Sequence, residues 1–158
     1  MRRFALAFVV VSMLSGQAFA AEPAQKAGAK AESDYMSELQ GKRADIMAKS
    51  LTLTAEQAAK FWPAYTKFEA EQVVIVDDQL KAIKEYSEQY RELDDASAEA
   101  YVNNILARDQ RMHDLRKKWL AQFKKILPTG TAARVIQIDR RLGLLQQLQL
   151  SGQIPLVH

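Results

Sequence analysis

The sequence predicts an all-α protein of about four helices arranged as elongated, bent antiparallel hairpins, and three observations carry that expectation. From Ser33 to Leu150 apolar residues return at steps of three and four along nearly the whole chain, the period of a helix with one face turned to a core. No stretch alternates β-branched with polar residues between turn signals, as a half-buried strand would. Capping residues and helix breakers cut the periodic region into pieces of helical length. The chain has no cysteine, so an apolar core alone has to hold these pieces, as a single domain of this size can.

Ahead of the periodic region, residues 1–20 read as a cleavable export signal. Arg2 and Arg3 give a positive start, Phe4 to Leu14 form an apolar run interrupted by Ser12, and Ala18-Phe19-Ala20 places small residues before a cut at Ala21. That run is about half of the roughly 20 residues a membrane span needs, and without cysteine there is no lipid anchor. No other segment is long and apolar enough to span, so the expected location is a bacterial-type periplasm, without stable membrane insertion. Loss of these 20 residues from 158 leaves 138, and because Arg2 and Arg3 are the only charges lost, the formal charge falls from +3 to +1. So weak a positive field argues against a nucleic-acid partner. Residues 21–32, rich in Ala, Lys, Glu and Gln, have little to bury and are expected to be a disordered leader.

The helical domain is expected over 33–150. Helix one spans about Asp34 to Ala48, with Tyr35, Met36, Leu39, Ile46 and Met47 as its apolar members. The connection Ser50-Leu51-Thr52-Leu53 leads into Thr54-Ala55-Glu56-Gln57, a capping box in which the Thr hydroxyl and the Gln side chain satisfy each other's backbone amides. Helix two then runs to about Glu92 on a stripe of Ala58, Phe61, Trp62, Tyr65, Phe68, Ile75, Val76, Leu80, Ile83 and Tyr90, with Pro63 as the expected bend. Asp94 and Asp95 offer alternative N-caps for helix three, whose stripe is Ala98, Tyr101, Val102, Ile105, Met112, Leu115, Trp119, Phe123 and Ile126, with Pro128 ending it. Thr129-Gly130-Thr131 is expected to turn sharply into helix four, which carries Val135, Ile136, Leu142, Leu145 and Leu148 until Ser151-Gly152. Residues 151–158 are expected to pack loosely or to form a tail.

The pentapeptide Leu53-Thr54-Ala55-Glu56-Gln57, opening a long helix in an exported, cysteine-free chain of this length, resembles the LTxxQ motif of the Spy/CpxP-like periplasmic proteins. Phe61-Trp62-Pro63-Ala64-Tyr65 and Phe123-Lys124-Lys125-Ile126-Leu127-Pro128 are similar to a subgroup labelled heavy-metal or envelope-stress sensors. Where better-known members carry a second LTxxQ, this chain reads Leu127-Pro128-Thr129-Gly130-Thr131-Ala132, without the Gln. The resemblance implies antiparallel bent hairpins, often dimerised into a cradle-shaped homodimer, that bind unfolded clients or damp an envelope-stress sensor. Leu53, Thr54 and Gln57 would then be a structural cap.

Residues for other chemistry are sparse. There is no phosphate loop, GxSxG or HExxH, and no enzyme activity or cofactor is expected. His113, near Asp109 and Met112, is the best metal-ligand candidate, yet a transition-metal site needs several such groups converging, and none is expected. Charge is more informative: Glu69 to Asp95 is mainly acidic, whereas Arg108 to Lys125 and Arg134 to Arg141 are mainly basic. That layout suits complementary faces on neighbouring helices, or a basic surface that steers acidic partners. Val73-Val74-Ile75-Val76 is apolar around a full turn, which either several helices or a second protomer must cover. The expected function is ATP-independent, chaperone-like binding of non-native polypeptides, through Phe61, Trp62, Tyr65, Arg116, Lys117 and Trp119. The alternative is a regulatory accessory that docks on the periplasmic domain of a sensor kinase or anti-sigma factor.

Overall fold

The computed structural model describes residues 41–157. The expected signal (1–20), the leader (21–32) and the first part of helix one lie outside the described residues, as does His158. All described residues fall within one unit and form four helices without a strand among them. They are α1 (residues 41–50), α2 (Ala55–Gln89), a 3-10 turn (Tyr90–Glu92), α3 (Asp95–Phe123) and α4 (Thr129–Ser151).

Each boundary has a local cause. The Thr54 hydroxyl accepts from the Gln57 amide at 3.2 Å, and the Gln57 side-chain oxygen accepts from the Thr54 amide at 3.0 Å. Both arms of the capping box are therefore made, while Leu53 packs against the core behind it. From there α2 runs unbroken through Pro63. Pro63 removes the hydrogen bond to the Ala59 carbonyl, but both residues are exposed, where water can serve that oxygen. At the far end α2 stops at Gln89, three residues short of the expected Glu92, because the last turn tightens to 3-10. Of the two candidate caps for α3 it is Asp94 that acts, accepting from the Ser97 amide at 2.8 Å.

The junction before α4 departs from expectation. Thr129, Gly130 and Thr131 do not form the turn; they are the first turn of the helix itself, and Pro128 is its N-cap, with no side-chain cap bond. Proline, lacking an N–H and fixed near φ −65°, suits a helix start at no hydrogen-bonding cost. The bend falls earlier, where Lys125, Ile126 and Leu127 close on the carbonyls of Gln122 and Phe123.

Residue pairings give the topology. Glu71 meets Lys118 and Asp78 meets Arg111, while Tyr86 stacks on Tyr101, so α2 and α3 run antiparallel. Gln72 pairs with Asp139, Gln79 with Gln147 and Tyr86 with Pro155, partners that advance in step, so α4 runs the same way as α2. The core lies between the α2 start and the α3 end. Phe61, Tyr65, Phe68 and Ile75 of α2 meet Met112, Leu115, Trp119 and Phe123 of α3, closed by Met47, Leu51, Leu127, Ala132 and Val135. Aromatic rings carry it, Phe123 lying 5.5 Å from Phe61 and 5.8 Å from Phe68. Each ring fully buried removes apolar surface worth roughly 1.5–3 kcal/mol.

Toward the α2–α3 turn the core thins, and beyond Ile75 the only buried α2 residue is Tyr86. Tyr86 is also where the segment after α4 comes to rest. Its hydroxyl donates to the Pro155 carbonyl at 3.0 Å, and that of Tyr90 to the Leu156 carbonyl at 3.0 Å. Residues 153–157, expected to be loose, are thus tied to α2.

Candidate functional site

Two arrangements stand out: a cationic groove on the outside of the α2–α3 pair and a buried carboxylate at its centre. The groove follows from helical spacing. Lys60, Ala64 and Lys67 recur along one face of α2, with Pro63 beside them, and Lys118, Trp119, Gln122, Lys125 and Ile126 face them at the end of α3. Between them lies an open groove of about 430 Å³. Its floor is apolar (Pro63, Ala64, Ile126 and an edge of Trp119) and its rim has four ammonium groups. Lys60 pairs with Glu56 at 2.7 Å and Lys118 with Glu71 at 2.8 Å, both exposed. Lys125 donates to the Gln122 side chain at 3.1 Å, and Lys67 has no ion pair among the described residues. Exposed pairs of this kind are worth at most about 1 kcal/mol, so an incoming carboxylate can exchange for them. The Lys118 ammonium also lies 5.9 Å from the Trp119 ring centroid, a cation–π distance.

The second arrangement centres on Asp139 of α4, which is 0% exposed. Arg43 of α1 forms an ion pair with it. The Arg116 Nε of α3 donates to it at 2.8 Å, and the Gln72 side-chain amide of α2 at 2.7 Å. Arg43 also donates to the Gln146 side chain at 2.8 Å. One carboxylate thus gathers all four helices. Gly143, one turn along α4, leaves room for this, since a Cβ there would stand 2.9 Å from an Arg116 terminal nitrogen. Beside the cluster, burial pushes the Glu69 carboxyl above its ordinary range, although the Tyr65 hydroxyl and Arg43 pull it back. Burial also pushes the Tyr65 phenol up, and Glu69 adds to the shift. The two groups feel each other but miss hydrogen-bond geometry, leaving Tyr65 Oη and Glu69 Oε1 buried without a partner among the described residues.

The six residues expected to meet a partner are divided by this geometry. Phe61, Tyr65 and Trp119 are core, because they occupy the centre of the two facing stripes. Arg116 is 18% exposed and committed to Asp139. Trp62 is half-buried against Phe61 at 5.0 Å and Tyr65 at 5.8 Å, and Lys117 is exposed. Surface-directed apolar groups lie elsewhere: Leu145 and Leu148, expected on the inward stripe of helix four, are 60% and 71% exposed, and Leu144 adjoins them. His113 is exposed, and among the described residues no group of three or more His, Cys, Asp or Glu gathers as metal ligands do.

Comparison of the chain with family models, curated proteins and solved structures gave no match.

Proposed function

We propose that this chain is a periplasmic, ATP-independent, chaperone-like protein that binds non-native polypeptides during envelope stress. The observation that carries this reading is the lysine-rimmed groove over the apolar floor of Pro63, Ala64, Trp119 and Ile126. A non-native segment exposes apolar side chains together with its charges. The floor takes the former by removing apolar surface from water, and the rim takes carboxylates by exchange with weak surface pairs. Both contributions are small and separable, which suits brief, multivalent contact with a client that changes shape while bound. The LTxxQ-like capping box and the export signal support the family to which this activity would belong.

Light scattering of an aggregating client, titrated with the protein without nucleotide at low and moderate salt, tests the reading. Suppression is expected at low salt and is expected to weaken as salt screens the rim. Lys67→Glu with Lys125→Glu should reduce it severalfold while leaving the circular dichroism spectrum unchanged. No suppression at any ratio would sink the reading in favour of a regulatory accessory, to be sought by its one saturable partner among sensor-kinase or anti-sigma-factor periplasmic domains.

A further inference from the structure

A third arginine lies as deep as the two that hold Asp139, but no buried carboxylate meets it among the described residues. The side chains of Arg43, Arg116 and Arg108 are 11%, 18% and 12% exposed. The first two share the fully buried Asp139, whereas Arg108 pairs with Asp109, its neighbour in the chain, which is 62% exposed. Adjacent residues do not face one another on a helix, and the contact uses a single terminal nitrogen, Nη1, at 2.8 Å. The Arg108 Nε is buried without a hydrogen-bond partner among the described residues, and a buried donor left unpaired is costly. Nε and Nη2 form the edge of the guanidinium away from Asp109, an edge that can receive a carboxylate through two parallel hydrogen bonds. Arg108 also lines a cavity of about 80 Å³ between α2 and α3. The Asp78–Arg111 pair borders this cavity on one side and Tyr101, stacked on Tyr86, on the other. Ile83 of α2 and Ile105 of α3 give it apolar wall.

We infer that this cavity is a binding site for a free short-chain monocarboxylate, of the size of acetate or propionate, held side-on by Arg108. Charge points to a single negative group. Asp78 and Arg111 neutralise each other at 2.8 Å, and the exposed Asp109 is a weak, water-screened counter-ion, so Arg108 is the one cation at the cavity short of a buried partner. Size points to a short chain, since about half of the roughly 150 Å³ that accommodates benzene leaves room for about three to five non-hydrogen atoms. The apolar wall suits an alkyl stub behind the carboxylate. Phosphate fits less well, because the wall would leave its further oxygens unpaired. So few atoms give modest affinity, in the millimolar range. Binding only to the folded hairpin, the acid would stabilise the thinly packed half of the α2–α3 pair. The site lies at the other end of that pair from the lysine groove and stands without it.

The test follows the Arg108 Nε–H signal and the amides of residues 101–111 by proton–nitrogen correlation NMR, while sodium propionate replaces sodium chloride at constant ionic strength. Saturable shifts centred on the cavity lining are the expected result. Arg108→Lys keeps the charge but loses the two-donor edge, and should weaken binding at least tenfold with an unchanged circular dichroism spectrum. Phosphate should bind at least tenfold more weakly than propionate, and so should hexanoate, whose chain outgrows the cavity. Shifts that never saturate, phosphate or hexanoate binding as tightly as propionate, or indifference to Arg108→Lys would each overturn the proposal. An amidated pentapeptide with one central Glu that bound more tightly than propionate would also overturn it, by making the occupant a polypeptide side chain. If the lysine variant does not fold, the comparison of anions and chain lengths on the parent decides. None of these readouts involves client aggregation, so they succeed or fail separately from the chaperone reading.

Discussion

Asp139 is enclosed by donors from three other helices, and that enclosure decides what substitution there does. Removing a charge from water is expensive, and the interior repays the cost only if the partners stay in place. Asp139→Asn keeps the shape but leaves Arg43 and Arg116 facing a neutral group. Loss of about 3–5 kcal/mol is expected, a large share of the ~5–15 kcal/mol that holds a typical domain. Urea unfolding should show it as a lower midpoint at unchanged slope. Glu69 has the opposite sign. Its carboxyl titrates above the ordinary 4.5 in the folded chain, so the folded state holds the proton more tightly and the ionised form costs stability. That cost is absent below about pH 4.5, grows as pH rises through the folded value and is complete above it. Glu69→Gln should therefore raise the urea midpoint at neutral pH, and its advantage should vanish on acidification toward pH 4. An advantage independent of pH would refute the linkage. Asp139 and its partner Gln72 did not stand out in the sequence, yet a signal was present. The apolar stripe of helix two jumps from Phe68 to Ile75 and that of helix four from Ile136 to Leu142, and Gln72 and Asp139 fill those gaps at core spacing. A polar residue on an apolar stripe marks an internal partner, but spacing alone does not say which residue on another helix it meets.

Each element shows how far local rules extend. The start of α2 was fully legible, because a capping box involves only residues three apart. The start of α4 was not: Pro128 reads equally as the end of one helix or the cap of the next, and tertiary packing of Leu127 and Ala132 chooses. The inward face of α4 was misread in its second half, because α4 outlasts the core it packs on and Leu145 and Leu148 reach water. Gly143 also acquires a meaning only through tertiary structure. A glycine in a helix interior normally gains about 1 kcal/mol when changed to Ala. Here the new Cβ would meet Arg116, whose guanidinium is anchored through Nε to Asp139. Gly143→Ala should therefore forfeit the gain, whereas Gly130→Ala, where a Cβ meets nothing within 4 Å, should raise the melting temperature by a few degrees. Equal stabilisation by both would show that the guanidinium moves aside freely.

Over the whole molecule, the all-α class was readable because period, caps and breakers agree along the chain. Where the core ends was not readable, because Leu80, Ile83 and Ile105 fit their stripes as well as Phe68 does and yet are only half-buried. Local stability follows buried apolar contact. Amides of α2 beyond Ile75 and of α3 before Met112 should thus exchange with deuterium well before those flanking Phe68 and Trp119. The Tyr86–Tyr101 stack should be a protected island within the faster region. Uniform protection along both helices would mean that the hairpin opens only as a unit.

The shared carboxylate also sets alignment. A leucine-rich helix on an apolar surface is a smooth bearing, able to slide by a turn of 5.4 Å with little change in the area it covers. Asp139 is the detent in that bearing. Moving α4 by one turn would bring Val135 or Gly143 opposite Arg43 and Arg116 and take the Asp139 charge away from both cations. The exposed leucines of α4 can therefore stay adaptable toward whatever they touch while the helix beneath them keeps a single setting.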